Sequence, residues 1–467
     1  MVLVRILSQS DYGTYQQMIL ISSVAIGLMT LGLPTSIYYF YNNVPTDRIS
    51  ALIVQTSVML GIAGAIATAT IVLAATSIAD GMNNVSMGSL LQIYAISIAF
   101  MIASEHSVHF MIAQGKYKLS VAFEIGETFI RVLVLLAPLW LGYGFIGLIG
   151  GIVAYAILRF FVRMTYLFYR SGVNYTGWSR FLFPMDQLGY SIPIALGSLV
   201  SLTGGTINRG VLATSVTPAQ YAIYSVGALE IPLDVIFQSS VANVLRASLP
   251  PLVRDGNLKE VVRIIREAVR KLSIIVLPSF VFLFGYSHEF ITLLFTSRYE
   301  ESVEIFRIYL WLVPLHMFIL SPIPHVFGKT RVNLYIILLV STTLIFLSYP
   351  MFKWFGLYGP ALASVITQYL GVILYFVVTL RLLNTTLVRL LPFPNLLRGV
   401  LASLGGLLLA KLLLHDLTSP GLLNLVLAGM IFSVGYLVLA AIIGVFTPED
   451  RRLLRRWIAK VLPIRSA

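Results

Sequence analysis

The residues of this chain best suited to chemistry are ionisable side chains that fall inside long apolar stretches. A charge at membrane depth is costly, so each such residue is a functional candidate. Glu124, Glu127 and Arg131 lie at spacings of three and four, which places them on one face of a helix. We expect Glu127 and Arg131 to pair within that helix. The pair is either a self-neutralised structural bridge, or it lines a cavity and opens to contact a substrate or exchange a proton.

Arg209 is an isolated arginine inside a second apolar stretch, directly after Asn208. A planar guanidinium binds phosphate through two parallel hydrogen bonds. Arg209 is therefore the first candidate for contact with an anionic substrate, and Arg131 is the second. Glu230 and Asp234 follow on the next apolar stretch and are natural partners for Arg209. In that alternative the arginine forms a bridge that stabilises the protein.

Two smaller groups complete the set of candidates. Arg5 lies near a helix end, where it can snorkel to the membrane interface or reach a cavity. Glu105, His106 and His109 cluster, but their spacing is not that of the His-Glu-x-x-His zinc motif. A hydrogen-bonded cluster or a proton relay therefore fits better than a metal site, and we predict no metal and no cofactor. The candidates for ion or proton coupling are Glu124, Glu127, Glu230, Asp234, Glu105 and His109.

The composition indicates which elements carry these residues. Hydrophobic residues make up 58% of the 467 residues and charged residues only 11%, whereas a soluble domain carries about 25% charged residues. A helix that crosses a bilayer needs about 20 mostly apolar residues. We therefore predict an all-α polytopic membrane protein. Its thirteen predicted spans are 16–41, 51–75, 89–113, 120–141, 144–168, 189–213, 219–245, 272–296, 303–327, 332–352, 357–380, 396–414 and 421–446.

The basic residues predict the orientation of the spans. If the loop 42–50 is cytoplasmic, 25 of the 32 lysines and arginines fall on the cytoplasmic side and five on the other side. This bias is typical of membrane proteins and accounts for most of the net charge of +13 without a nucleic-acid partner. We predict a cytoplasmic (inner) membrane location with a cytoplasmic C-terminus. The sequence contains no cysteine, which excludes disulfides and thiolate metal sites.

An internal repeat relates the two halves of the chain. LSQSDYGTY at 7–15 resembles VTPAQYAIY at 216–224, and AQGKYKLS at 113–120 resembles VFGKTRVN at 326–333. Matches at a nearly constant offset predict two six-helix lobes related by an axis along the membrane normal, as in several transporters. The counterpart of the span 189–213 would end near residue 4, so we expect the first helix to be mostly missing from this sequence.

The predicted lobes comprise residues 1–188 and 189–394 and enclose a central cavity. Two additional transmembrane helices follow at 395–447, and residues 448–467 form a basic cytoplasmic tail. The tail and the stretch 246–271 are basic, with apolar residues at helical spacing. This pattern favours helices that lie on anionic lipid. Docking of a partner protein is the alternative.

Several of these residues also carry a resemblance. LVRILSQSDYGTYQ followed by LGLPTSIYYFYN, and the segment 207–251, resemble Wzx-type polysaccharide flippases. These belong to the multidrug/oligosaccharidyl-lipid/polysaccharide exporter superfamily. The resemblance implies fourteen helices and export of a lipid-linked oligosaccharide, such as a precursor of O-antigen, lipopolysaccharide or exopolysaccharide, carried on a polyprenyl-pyrophosphate lipid. It implies membrane lipids and polysaccharide-assembly proteins as further partners. This chain departs from the family at Asn208, where an aspartate is common.

Two other functions remain as alternatives at this stage. One is an ion-coupled small-molecule (drug) antiporter of the same superfamily, although an acid-centred cation site suits Arg209 poorly. The other is a membrane enzyme that polymerises or ligates polysaccharide. The longest predicted outside loop, near 297–302, is too short for a catalytic domain. We therefore expect a transporter and not an enzyme.

Overall fold

The computed structural model describes residues 2–170, 184–229, 231–414, 421–448 and 450, with most of their side chains. Described residues group into two compact units, Met1–Ser225 and Val226–Ala467. The first unit contains α1 (Val2–Ile6), α2 (Gln9–Met29), α3 (Leu33–Asn43), α4 (Ile49–Gly81), α5 (Met87–Ser104), α6 (His106–Ala113), α7 (Tyr117–Trp140), α8 (Gly144–Thr165), α9 (Pro184–Ser215) and most of α10 (Pro218–Gly227).

The second unit continues with α11 (Pro232–Arg254), α12 (Leu258–Gly285), α13 (Ser287–Phe295), α14 (Ser302–Leu310), α15 (Pro322–Val326), α16 (Thr330–Phe355), α17 (Gly359–Leu382), α18 (Leu387–Leu390), α19 (Phe393–Leu413) and α20 (Leu422–Ile443). No strand occurs in the part of the chain that the structure describes. The predicted all-α fold is therefore confirmed.

Long apolar helices account for most of the predicted spans. Nine helical stretches among the described residues are long and apolar enough to cross a membrane, and one of them, Thr330–Leu382, holds two predicted spans. The helix α7 is not among the nine, and it carries Glu124, Glu127 and Arg131. These findings confirm a multi-pass membrane protein.

The basic stretch 246–271 does not form a separate surface helix. Its second half is the start of α12, which continues without a break to Gly285. A stripe of buried apolar residues at helical spacing begins in this half, with Val261, Ile265 and Val269. The same stripe continues along the apolar half of α12. The helix that carries the span predicted from residue 272 therefore begins at Leu258, and the position of the membrane boundary within it stays a prediction.

Small residues let the helices of the first unit approach closely. Ala63, Ala67, Ala75 and Ala79 line the buried side of α4 within the main core cluster, against α5. A Cβ on Gly64 would lie 2.7 Å from the carbonyl oxygen of Ala99. Helices in membranes associate through such close backbone contact, because lipid tails compete for apolar side chains.

Buried polar side chains hold α9 at both ends. Gln187, near its start, donates from Nε2 to the hydroxyls of Ser36 and Thr56, both at 3.1 Å, and accepts from Gln55 at 2.8 Å. Near its other end, Gln17 donates to the carbonyl of Ala213 at 3.3 Å. The contacts therefore group α9 with the first unit. The lobe boundaries 1–188 and 189–394 stay predictions of the repeat.

An ion pair ties the end of the second unit to α12. Arg270 donates to both carboxylate oxygens of Asp450, at 2.6 and 3.1 Å, and also contacts Glu267. Burial alone would raise the pKa of Asp450, but hydrogen bonds from Arg270 and Thr447 lower it to about 2. Asp450 and Thr447 bond reciprocally, as in the capping box at a helix start. The basic tail after residue 450 lies outside the described residues.

Candidate substrate site

Glu127 is bound by an arginine of the neighbouring helix. Its Oε1 and Oε2 atoms accept hydrogen bonds from Nε and Nη2 of Arg163, both at 2.7 Å. Both residues are buried, at 9% and 4% exposure. The expected pair between Glu127 and Arg131 is therefore not formed. The reason is geometric: the Glu127 side of α7 packs on α8, whereas Arg131, one turn along, is exposed.

A second ion pair extends this contact into a network. Arg159 donates from Nη2 to Glu105 at 2.9 Å, and its Nε lies 3.7 Å from Glu127. Glu105 stands at the break between α5 and α6, and Arg163 also donates to the carbonyl of Ser104 there, at 3.4 Å. Two arginines and two glutamates thus join three packed segments of the first unit. Such a buried network is sensitive to loss of any one charge.

The histidines of the predicted cluster have different surroundings. His106 is fully buried, and its Nε2 lies 2.8 Å from the hydroxyl of Ser57. His109 is half-buried, with Nδ1 3.3 Å from the carbonyl of Glu105 and its ring 5.4 Å from that of Tyr38. Among the described residues, no group of three His, Cys, Asp or Glu side chains is placed to hold a metal ion.

Arg131 and Arg209 each lie within electrostatic range of tyrosines. The charge of Arg131 acts on Tyr15 of α2, and the charge of half-buried Arg209 acts on Tyr12 and Tyr221. The rings of Tyr12 and Tyr15 are 6.3 Å apart. Neither arginine forms an ion pair with a carboxylate in the part of the chain that the structure describes. We call these five residues the cation–tyrosine site.

The repeat-related segments meet at this site. Tyr12 and Tyr221 are equivalent in the repeat, and both lie near Arg209. The start of α2 touches the start of α10 so closely that a Cβ on Gly13 would lie 1.7 Å from the carbonyl oxygen of Pro218. Glycine at position 13 is thus required by the contact that brings the two tyrosines to one arginine.

An apolar pocket is lined in part by residues of α9 close to Arg209 in sequence. It has a volume of about 400 Å³ and is lined by α2, α4 and α9, including Thr206 and Gly210. Its other walls are aliphatic side chains such as Leu20, Val24 and Ile71. Gly210, the residue after Arg209, thus contributes to the wall of an apolar cavity in the first unit.

The remaining predicted residues are not drawn into this site by any described contact. Arg5 is exposed on α1, and Glu124 is exposed on α7. Asn208 is buried beside Arg209 in sequence, at 1% exposure. Glu230 and the side chain of Asp234 lie outside the described residues, so the alternative bridge to Arg209 stays a prediction.

Sequence reasoning missed Arg159 and Arg163. Neither residue is among the sequence candidates, although both lie within α8, inside the apolar stretch Gly144–Tyr169. Their spacing of four, which puts both on one helical face, was the available signal. The same spacing continues through Tyr155, which also lies near Arg131.

The sequence profile described as "Polysaccharide biosynthesis protein" matches residues 2–304. The chain belongs to this family, and the resemblance to Wzx-type exporters is confirmed. No curated protein sequence matches the chain. The solved structures that match are titled as a flippase and as transporters.

Several solved structures share the fold of this chain. A structure titled "Lipid II flippase MurJ, inward closed conformation" has a TM-score of 0.72 at 17% identity, covering 93% of this chain and 92% of its own. An inward-facing multidrug resistance MATE family transporter gives 0.66 at 12% identity, with 80% and 90% covered. A superfamily transporter from Pyrococcus furiosus gives 0.55 at 13% identity, with 81% and 89% covered. At identities of 12–17%, these likenesses establish the fold of the chain.

Proposed function

We propose that this protein moves a lipid-linked oligosaccharide across the cytoplasmic membrane by alternating access. The observation that carries the proposal is the pair of arginines, Arg131 and Arg209, within electrostatic range of tyrosines in the first unit. Arg163 holds Glu127, so that carboxylate does not neutralise Arg131. Positive charge at membrane depth is thereby kept for an anionic ligand, as a carrier-lipid pyrophosphate would supply.

Each part of the cation–tyrosine site has a role in this proposal. The guanidinium groups of Arg131 and Arg209 bind phosphate oxygens, for which their planar donors are suited. The hydroxyls of Tyr12 and Tyr15 donate further hydrogen bonds. The apolar pocket takes the first isoprenoid units of the carrier, because it offers about 400 Å³ of aliphatic surroundings. Transport also requires that the two end states bind this headgroup with different affinity.

The buried network suggests where an ion gradient would act. Glu105 is the most accessible acid of the network, with its side chain 36% exposed, and it is held by Arg159. Protonation of Glu105 would release Arg159, whose Nε is already only 3.7 Å from Glu127. We propose that this exchange couples proton movement to rearrangement of α5, α7 and α8. Glu124 and His109 remain further candidates.

The experiment uses purified protein in liposomes that contain a fluorescent lipid-linked oligosaccharide. Arg131→Ala and Arg209→Ala should each lower the initial transport rate about 10- to 100-fold, since a hydrogen bond to a charged group contributes about 1.5–3 kcal/mol. Lysine at either position should restore part of the rate. Arg331→Ala, on exposed Arg331 of α16, is the matched control and should transport normally.

The same liposome preparation distinguishes a flippase from the alternative, a drug antiporter. If the wild-type protein extrudes cationic dyes on an imposed gradient and leaves the lipid-linked substrate untouched, the flippase proposal is wrong. Equal transport rates in wild type, Arg131→Ala and Arg209→Ala would refute the role of the cation–tyrosine site instead.

A further inference from the structure

Three tyrosines form an exposed aromatic surface where α3 ends and α9 begins. The rings of Tyr39 and Tyr190 stack, with centroids 4.6 Å apart and planes 18° from parallel. Tyr38, beside them, packs against the ring of His109 at 5.4 Å. Tyr38, Tyr39 and Tyr190 are nevertheless 37%, 47% and 39% exposed. We call these three tyrosines the aromatic platform.

The platform has a rigid support. Phe40 presents its ring edge-on to both stacked tyrosines, at 5.3 Å from Tyr39 and 5.7 Å from Tyr190. Beneath it, the buried hydrogen bonds of Gln187 tie the first turns of α9 to α3 and α4. Gly32, at φ +68°, allows α9 to come so close that a Cβ would lie 2.6 Å from the carbonyl oxygen of Ser191. The rings are therefore fixed before any ligand arrives.

Preorganised exposed tyrosines suit a particular ligand chemistry. The face of an aromatic ring is electron-rich and attracts the polarised C–H bonds on the apolar face of a sugar ring. The tyrosine hydroxyls can hydrogen-bond to sugar hydroxyls, and the exposed amides of Asn42 and Asn43 lie on the next residues. There is no charged side chain in the platform itself. The ligand it fits is a neutral sugar.

A lipid-facing aromatic belt would be the simpler explanation, because tyrosine is common at membrane interfaces. Two features argue for a ligand site. Tyr39 and Tyr190 are brought together from two helices and stacked, which anchoring in the headgroup layer does not require. The buried hydrogen bonds of Gln187 also hold α9, which carries Tyr190, in place.

The platform is separate from the cation–tyrosine site. The two sets share no residue, and Tyr15 and Tyr39 lie on different helices, α2 and α3. The charge bias predicts that the α3 end of these helices is cytoplasmic. A substrate loaded from the cytoplasm would meet the platform first.

We propose that the aromatic platform captures the sugar residues of the lipid-linked substrate at the loading end, before the pyrophosphate reaches Arg131 and Arg209. This inference rests on the proposed function and adds the ligand class, neutral pyranose rings, and the residues that bind it. Tyr39 and Tyr190 stack on a sugar ring, and Tyr38 contacts its neighbour.

The test compares two substrates in reconstituted liposomes. One is a carrier-lipid pyrophosphate with a neutral tetrasaccharide, and the other is the same lipid without sugar. Tyr39→Ala and Tyr190→Ala should raise KM for the first about tenfold, with less than a twofold effect on the second. Tyr39→Phe keeps the ring face and loses only the hydroxyl, so it should raise this KM less than Tyr39→Ala does. The control is Tyr335→Ala, because Tyr335 of α16 is more accessible than the platform tyrosines, at 65% exposure.

Several outcomes would overturn the inference. Equal effects on both lipids, or an equal effect of Tyr335→Ala, would mean that the tyrosines anchor the protein in the membrane. An unchanged KM in both platform variants would remove them from binding altogether. If Tyr39→Ala is not monodisperse, Tyr39→Leu keeps the apolar bulk and tests the same loss.

A second readout separates this inference from the proposed function. Saturation-transfer NMR with maltotetraose measures binding of a free neutral oligosaccharide to the detergent-solubilised protein. We expect a signal in wild type that falls at least fivefold in Tyr39→Ala. A wild type that binds maltotetraose through Tyr39 but transports no lipid-linked substrate would refute the flippase proposal and leave the platform standing. A wild type that transports the substrate and shows no such binding would refute the platform alone.

Discussion

Glu127 of α7 and Arg163 of α8 form a buried bidentate ion pair, with both N–O distances at 2.7 Å. This pair determines which charged side chains of α7 remain available to a ligand. Arg131, one turn away on α7, forms no ion pair with that carboxylate and is exposed. The arginine that neutralises Glu127 and the arginine offered to a ligand are thus two different residues.

The first prediction concerns stability. Arg163→Ala should lower the free energy of unfolding by about 3–5 kcal/mol, because it leaves a buried carboxylate without its partner. The double variant Glu127→Leu/Arg163→Met should recover much of that loss, since it removes both charges. Thermal unfolding in detergent measures both changes.

The control for this pair is an exposed one. Arg263 and Glu260 form an ion pair on the open side of α12, and Arg263 is 68% exposed. Exposed pairs contribute about 0.2–1 kcal/mol, so Arg263→Ala should change the melting temperature little. A loss in Arg263→Ala as large as that in Arg163→Ala would show that burial does not set the value of these pairs.

The fold was largely predictable and the pairing of charges was not. Apolar stretches of about 20 residues mark spans directly, and the predicted spans coincide with the helices or helix pairs of the described chain. Which carboxylate meets which arginine depends on how α7 rotates against α8. That rotation is set by packing between helices, and the spacing along α7 alone favoured Arg131 as the partner of Glu127.

The start of α12 was also not predictable from the pattern of charges. Charged residues at its start suggested a boundary near residue 272, but buried Val261 and Ile265 lie on the same helical stripe as the apolar half. Long basic side chains can keep their charges in water while the helix axis continues into the core. The continuous stripe of apolar residues along the helix therefore indicates where α12 begins better than the local net charge does. The aromatic platform was also hidden, because Tyr39 and Tyr190 are far apart in sequence.

The second prediction tests the contact between the two repeat-related segments. Gly13→Ala should lower transport at least tenfold and also destabilise the protein, because the added methyl would meet the Pro218 carbonyl at 1.7 Å and force the backbones apart. Such separation would move Tyr12 and Tyr221 away from Arg209. The transport assay and thermal unfolding in detergent check the two effects.

Gly61→Ala is the matched control for that change. Gly61 also lies within a transmembrane helix, but a Cβ there would meet nothing within 4 Å. Replacing a helical glycine by alanine at an open position stabilises by roughly 0.5–1 kcal/mol. Normal transport in Gly13→Ala would contradict the role assigned to the close contact.

The third prediction concerns the acid limit of the Asp450–Arg270 pair. The pKa of Asp450 is lowered from its ordinary value of 3.8 to about 2 in the folded protein. A lowered pKa means that the pair stabilises the fold above about pH 4, and that this stabilisation is lost as the pH falls towards 2. Asp450→Asn should therefore melt at a lower temperature than wild type at pH 7, and the difference should shrink as the pH falls from 4 towards 2.

Asp255→Asn provides the comparison for the acid series. Asp255 contacts Arg254, and both side chains are more than 60% exposed. Its melting temperature should follow that of wild type at every pH. A difference between Asp450→Asn and wild type that persists unchanged at pH 2 would show that the aspartate acts through something other than its charge.

The last prediction concerns coupling to a gradient. Glu105→Gln removes the titratable group but keeps a side chain that can still accept a hydrogen bond from Arg159, which lies 2.9 Å away in the wild-type protein. If proton binding at Glu105 drives the cycle, an imposed pH gradient should accelerate wild-type transport several-fold and leave Glu105→Gln unaffected. Glu124→Gln, on exposed Glu124 of the same unit, should respond like wild type. If Glu105→Gln responds to the gradient as wild type does, the coupling group lies elsewhere. If Glu124→Gln loses the response, that exposed acid carries the proton instead.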